Sequence, residues 1–351
     1  MTLPDFLGIG AQKSGTTWLA RSLESHPQVW MAHYKELHYF DWYRDHGIPK
    51  WMPYALGRAL RLRRGLQQEF WHAGVRRRFQ YHVKMRGRQR RDLAWDLRYF
   101  LRRPSDRWYA SLFTPGPGQI AGEITPGYGM LAEPEVAHVA AVVPDARIIF
   151  LMRHPVERAW SQVAMRIKGD RAWTQAQQDV PAARRQRRLR RLLEESGSHR
   201  RNDYIATLNA WGSHYPPERI FVGFLEDIQW HPEPLFHAIL RFLGISDLDA
   251  AEIRGERVRA GSTTTMPVEA ARYLAELQHA QVRALAERFG GYATGWLAST
   301  EWLLNADHGE EEIPYPLWSV PDWQDRDADP APMLGLQSMS LAASAAETST
   351  R

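Results

Sequence analysis

Phe6-Leu7-Gly8-Ile9-Gly10-Ala11-Gln12-Lys13-Ser14-Gly15-Thr16-Thr17-Trp18 is the stretch on which the fold turns. Its first five residues form a short apolar run that halts at a loop, the signature of a buried strand. From Thr16 to Ser25, Trp18, Leu19 and Leu23 recur at helical spacing, and His26-Pro27 ends that helix because a residue before proline is pushed out of the helical region. Between strand and helix lies Gly10-Ala11-Gln12-Lys13-Ser14-Gly15-Thr16-Thr17. Gly15 permits a tight turn, the first N–H groups of the helix face outward, Lys13 adds positive charge, and Ser14, Thr16 and Thr17 add hydroxyl donors. Together these make a phosphate cradle. It is not G-x-x-x-x-G-K-[ST], because the lysine precedes the second glycine.

Outward from this loop the pattern alternates. Strands are expected at 29–31, 119–124, 147–152 and 220–225, and helices after 153 and at about 203–211, 235–243 and 267–289. Continuous apolar strands alternating with helices indicate a three-layer α/β domain, with a central parallel sheet covered by helices on both faces. Residues 1–305 are expected to form this domain. An insert at about 42–117 reads as helical, basic and rich in Trp and Arg; residues 306–351 read as a C-terminal extension, disordered from about 327 where Ala, Ser, Thr and Pro dominate.

The 351 residues hold 44% hydrophobic and 24% charged residues, a balance that suits a globular core. Zero cysteine excludes disulfides, thiolate zinc, iron–sulfur ligation and a Cys nucleophile. No window approaches the roughly 20 apolar residues of a membrane span, and Met1-Thr2-Leu3-Pro4-Asp5 lacks a basic region followed by an apolar one, so a cytoplasmic protein is expected. The net charge is +5, with basic runs at 58–64, 76–78, 84–91, 98–103 and 184–191. Such runs are either solvated helix faces or surfaces for anions, peripheral membrane contact included. No zinc-finger, bZIP or RNP-type signature calls for nucleic acid. Fifteen tryptophans, several among the arginines, suggest that the insert is packed through Trp–Arg stacking.

A second motif, Arg153-His154-Pro155-Val156-Glu157-Arg158-Ala159-Trp160-Ser161, follows the most apolar strand. Arg153 lies where strand carboxyl ends open into the ligand crevice of an α/β sheet, and Ser161 points back from the second helical turn. One arginine and one hydroxyl there suit a terminal phosphate; equally, they form an ordinary strand end and helix serine.

The two motifs together resemble the PAPS-dependent sulfotransferases, PAPS being 3′-phosphoadenosine 5′-phosphosulfate. The resemblance runs from about residue 3 to 302 and is closest to bacterial members that share features with the heparan-type branch. It implies a fold like that of a nucleotide kinase. It also implies Lys13, Ser14, Gly15, Thr16, Thr17 and Trp18 around the 5′-phosphosulfate, and Arg153 and Ser161 at the 3′-phosphate. Lys35-Glu36-Leu37-His38-Tyr39-Phe40-Asp41 is similar to the heparan-type segment that carries the general base, which implies Glu36 in that role with His38 as the competing candidate, and a carbohydrate or lipid-linked acceptor. Gly122-Glu123-Ile124-Thr125-Pro126-Gly127-Tyr128 has isoleucine where that branch often has lysine; Thr125 and Tyr128 are expected either to line the acceptor crevice or to build a turn. Tyr204, and more loosely Arg257, Arg259 and Gly261, match positions that finish the nucleotide site. The implied co-substrate is PAPS, with no metal. Two other readings compete: an ATP- and magnesium-dependent kinase, and a non-catalytic anion or nucleic-acid binder.

Overall fold

The computed structural model describes residues 2–42, 90–169, 182–196, 199–247, 265–305 and 312–317. Five strands, β1 (Phe6–Gly10), β2 (Val29–Met31), β3 (Ile120–Ile124), β4 (Arg147–Met152) and β5 (Ile220–Phe224), form one sheet in the order β2-β3-β1-β4-β5. Every pairing is parallel. In chain order the helices are α1 (Thr16–Glu24), α2 (Tyr39–Trp42), α3 (Arg90–Leu101), α4 (Asp106–Ala110), α5 (Glu133–Val142), α6 (Pro155–Gly169), α7 (Ala182–Ser196), α8 (His199–Asn202), α9 (Tyr204–Gly212), α10 (Leu225–Trp230), α11 (Pro232–Leu243), α12 (Val268–Phe289) and α13 (Gly291–Asn305). A separate antiparallel pair joins β6 (Thr265–Pro267) to β7 (Glu312–Pro314).

The strands are apolar throughout because both faces are covered. Along β4, Ile148, Phe150 and Met152 enter a core with α5, α9 and α13, whereas Ile149 and Leu151 enter one with α1 and α11. This is the expected three-layer architecture. The connection leaving β1 runs to α1 on one face, and those leaving β3 and β4 run to helices on the other. Diverging connections open a crevice at the carboxyl ends beside β1.

Three expectations change. The fifth strand stops at Phe224, and Leu225 starts α10. The β6–β7 pair and α13 have no counterpart in the sequence reading. In the described part of the basic insert the packing is aromatic on aromatic: Trp95 stacks on Tyr99 at 5.2 Å and Trp108 on Tyr99 at 5.8 Å, with both tryptophans buried. Arg257, Arg259 and Gly261 lie outside the described residues, as do 43–89 of the insert and the extension beyond 317.

Candidate active site

The loop after β1 takes the shape its residues require. Gly15 precedes α1 at φ 88°, and no side chain caps the N–H groups of that helix start. A Cβ on Gly15 would press on the Cδ1 tip of Ile228 in α10, a flexible end that can give way, so it is the left-handed φ that calls for glycine here. Lys13 also adopts a left-handed backbone at φ 71°. Its Nζ lies 3.6 Å from Met165 Sδ on α6, and burial, followed by the nearby Arg153 charge, lowers its pKa. Ser14 and Thr16 are buried and Thr17 is exposed. The Trp18 side chain turns away from the loop into the core, edge-on to Phe236 at 6.2 Å.

The second motif meets the first. Arg153 Nη1 donates to the Lys13 carbonyl oxygen at 3.3 Å, so the chain after β4 is fastened to the loop after β1. Arg153 Nε and Nη2 both donate to Glu157 Oε2, at 3.1 and 2.9 Å. Its Nη2 also donates to the Tyr315 hydroxyl at 2.6 Å, and the Ser161 side chain stands near that same hydroxyl. Arg153 and Ser161 thus converge on one point. Tyr204 is buried and donates to the Arg153 carbonyl oxygen at 3.0 Å. It also lines a small cleft with Ala11, Gln12, Gly129, Phe150 and Arg201. His154 is buried and held neutral, its pKa lowered to about 3 by burial and by Arg153. Its Nδ1 accepts from the Val156 N–H in the first turn of α6, so its role there is structural.

The segment Lys35–Asp41 lies on the other side of the loop. Lys35 Nζ reaches Thr17 Oγ1 at 3.2 Å, Thr16 Oγ1 at 3.5 Å and Glu36 Oε1 at 3.4 Å. His38 sits at φ 54° between two carboxylates, with Nε2 at 3.3 Å from Glu36 Oε2 and Nδ1 at 2.9 Å from Asp41 Oδ2. Burial opposes a charge on His38, but the bonds and charges of Asp41 and Glu36 outweigh it and raise its pKa to about 9. Burial likewise opposes ionisation of Glu36, yet His38 and Lys35 together bring its pKa below the usual carboxylate value. At neutral pH the pair is imidazolium and carboxylate.

Beneath this segment lies a buried polar cluster. Glu123 accepts from Tyr109 Oη at 2.5 Å, Thr125 Oγ1 at 2.7 Å and Tyr128 Oη at 3.1 Å. In turn Thr125 Oγ1 accepts from the Leu37 N–H at 3.1 Å, and Tyr128 Oη from the Tyr39 N–H at 3.0 Å. Thr125 and Tyr128 are fully buried, so they fix the backbone on either side of His38 and do not line a crevice. Sequence reasoning missed Lys35 as a neighbour of the loop, Asp41 as a partner of His38, Glu157 and Tyr315. The first two stand within the quoted segment. Glu157 falls at the i+4 position from Arg153, a spacing that does signal a pair.

A second buried carboxylate stands near Arg153. Glu226 accepts from Trp296 Nε1 at 2.6 Å through Oε1, and its Oε2 has no hydrogen-bond partner among the described residues. Burial, then the Glu157 charge, push its pKa from 4.5 to about 8. The folded protein therefore binds a proton that the unfolded chain releases above about 4.5, and stability is lost as pH rises from there through about 8. Glu226→Gln removes this titration. Thermal unfolding at pH 5 and pH 9 is expected to show a variant that matches the wild type in acid and exceeds it in base; an equal fall in both proteins contradicts a protonated Glu226.

Among the described residues no helix is long and apolar enough to cross a membrane, and no three His, Asp or Glu side chains group as a metal site. Comparison with known proteins gives a consistent family. The membrane-associated sulfotransferase kil1 of Dictyostelium discoideum is 26% identical over 163 residues, which is 46% of this chain and 23% of that protein, so the match spans under a quarter of the relative's length. Among solved structures, a sulfotransferase from Alicyclobacillus acidocaldarius matches with a TM-score of 0.49 and 19% identity, over 84% of this chain and 99% of that one. The sulfotransferase domain of a Synechococcus olefin synthase matches with a TM-score of 0.47 and 17% identity, over 74% and 80%. The model of the sulfotransferase family matches residues 4–249, more than half of the sequence, and the chain belongs to that family.

Proposed function

We propose that the protein transfers a sulfuryl group from PAPS to a hydroxyl or amine of an acceptor, releasing adenosine 3′,5′-bisphosphate. The observation that carries this reading is the junction of the two motifs: Arg153 is bonded to the Lys13 carbonyl oxygen, so one crevice offers a 5′-phosphosulfate loop and a 3′-phosphate pair. The donor's 5′ end lies against the start of α1 with Lys13, Ser14, Gly15, Thr16 and Thr17. Trp18 contributes its backbone only, since its side chain is in the core. The 3′-phosphate lies at Arg153 and Ser161, with Tyr204 bracing the Arg153 backbone; Arg257, Arg259 and Gly261 complete the site.

In the chemical step the acceptor oxygen or nitrogen forms a bond to sulfur as the bond from sulfur to the bridging oxygen breaks. Glu36 receives the acceptor proton. His38 is unsuited to that task, because a site that raises its pKa to about 9 keeps it protonated at neutral pH. It serves as the cation that keeps Glu36 ionised. The electron pair of the broken bond goes to the departing phosphate oxygen, where Lys13 and the N–H groups of α1 offset the new charge. Lys35, bonded to both threonines and to Glu36, ties the base to the phosphate loop.

The donor set is cations, hydroxyls and backbone N–H groups, a composition that binds phosphates without a metal. The catalytic domain comprises residues 1–305 together with the docked segment 312–317. A carbohydrate or lipid-linked acceptor is our preferred class, on the wording of the Lys35-Glu36 segment. We place the protein in the cytoplasm, with peripheral contact to a membrane and no role for nucleic acid. Incubation with PAPS and a panel of glycan and lipid-linked alcohols and amines, followed by mass spectrometry, tests the reaction. The expected result is one added sulfuryl group on an acceptor with equimolar release of bisphosphate; transfer of phosphate from ATP to the same panel, with none from PAPS, overturns it.

A further inference from the structure

Residues 312–317 fall outside the span matched by the family model, yet they end at the nucleotide side of the crevice. The route is built, not incidental. β7 pairs with β6 through Thr265–Pro314, Met266–Ile313 and Pro267–Glu312. Ile313 and Leu317 are buried in an apolar cluster with Val156 and Trp160 of α6. The Leu317 N–H donates to Glu157 Oε1 at 2.6 Å, so the carboxylate that holds Arg153 through one oxygen holds this segment through the other.

That docking delivers Tyr315. Its ring centre lies 5.4 Å from the Arg153 guanidinium carbon, and its hydroxyl accepts from Arg153 Nη2 at 2.6 Å, with the Ser161 side chain nearby. Glu157 grips the guanidinium along its Nε–Nη2 edge. Tyr315 acts on the same Nη2 from the far end of the chain, with Ser161 beside it. We propose that Tyr315 is a positioning residue of the donor's 3′-phosphate subsite. It aligns the Arg153 plane and the Ser161 hydroxyl so that both address the phosphate on the ribose 3′ oxygen. This rests on the PAPS reading given above.

The physical reason is directional. A guanidinium donates only within its own plane, and with Nε and Nη2 taken and one Nη1 hydrogen given to the Lys13 carbonyl, the remaining Nη1 hydrogen is the one to be aimed at the phosphate, so orientation matters as much as charge. A plane held before the ligand arrives removes ordering from the binding step. Tyr315→Phe keeps the ring and its packing and deletes only the oxygen that accepts from Arg153.

The test titrates wild type and Tyr315→Phe with adenosine 3′,5′-bisphosphate and with adenosine 5′-monophosphate, which lacks the 3′-phosphate. The variant is expected to lose about tenfold in affinity for the bisphosphate and none for the monophosphate. KM for PAPS should rise with kcat held. Equal loss for both ligands, no loss for either, or tighter bisphosphate binding each overturn the proposal. The donor reading fails separately: a wild type that does not prefer bisphosphate over monophosphate refutes it before any variant is made. If Tyr315→Phe does not fold, Tyr315→His, which keeps a ring but moves the polar atom away from Arg153 Nη2, replaces it; selective loss of the bisphosphate preference is expected, and an unchanged preference refutes the alignment.

Discussion

Glu36→Gln lowers kcat for sulfuryl transfer by about 10²–10⁴-fold, the range set by losing a positioned base, and leaves the affinity for adenosine 3′,5′-bisphosphate unchanged. The side chain keeps its volume and one oxygen able to accept from either Lys35 or His38, the other contact being given up with the second carboxylate oxygen. What is lost is the negative charge that takes the acceptor proton. The split between kcat and binding is the informative part, because a distorted loop would weaken both. Steady-state kinetics beside calorimetry on the same preparation checks it. A Glu36→Gln enzyme that retains turnover assigns the proton to another group and removes Glu36 from the chemistry.

Lys13→Ala has the second large effect, a fall in turnover of about 10²–10³-fold, as expected on removing one fixed charge aimed at a developing anion. Alanine has the same Cβ as lysine, so the φ of 71° brings no new backbone strain. The side chain's described polar contact is to Met165 Sδ, so little packing is at stake. Donor affinity should weaken as well, since in the proposed complex Lys13 meets the same phosphate before reaction. Wild-type turnover in Lys13→Ala would leave the loop without its chemical purpose.

These effects concern residues that were legible in the sequence, and the reason is local. β1 and β4 are continuous and apolar because they are covered on both faces, and the loop between β1 and α1 combines Gly15, Lys13 and three hydroxyls within eight positions. Trp18 was legible too, but as core: with Leu19 and Leu23 it lies on the buried face of α1, which is where its side chain goes. Illegible parts are those made through space. Lys35 reaches Thr17 because the chain after β2 folds back over the start of α1. The Glu123 cluster collects Tyr109, Thr125 and Tyr128 with the backbone of Leu37 and Tyr39, and the pairing of β2 with β3 is what carries that backbone to it. Tyr315 is the extreme case. A three-residue strand carries no readable period, and its partner β6 is separated from it by α12 and α13.

The same contrast explains why the choice between Glu36 and His38 needed coordinates. Two residues apart, either is a plausible base. Asp41 at 2.9 Å on one ring nitrogen and Glu36 at 3.3 Å on the other favour the charged histidine, and that is what supports Glu36 over His38 in the proposed reaction.

The donor site carries the whole account, and calorimetric titration with adenosine 3′,5′-bisphosphate in the absence of metal, beside ADP with magnesium, tests it most directly. Tight, metal-independent binding of the bisphosphate with weak binding of ADP is the predicted result. Preference for ADP with magnesium would contradict the sulfotransfer chemistry proposed for this crevice and make it a phosphoryl-transfer site.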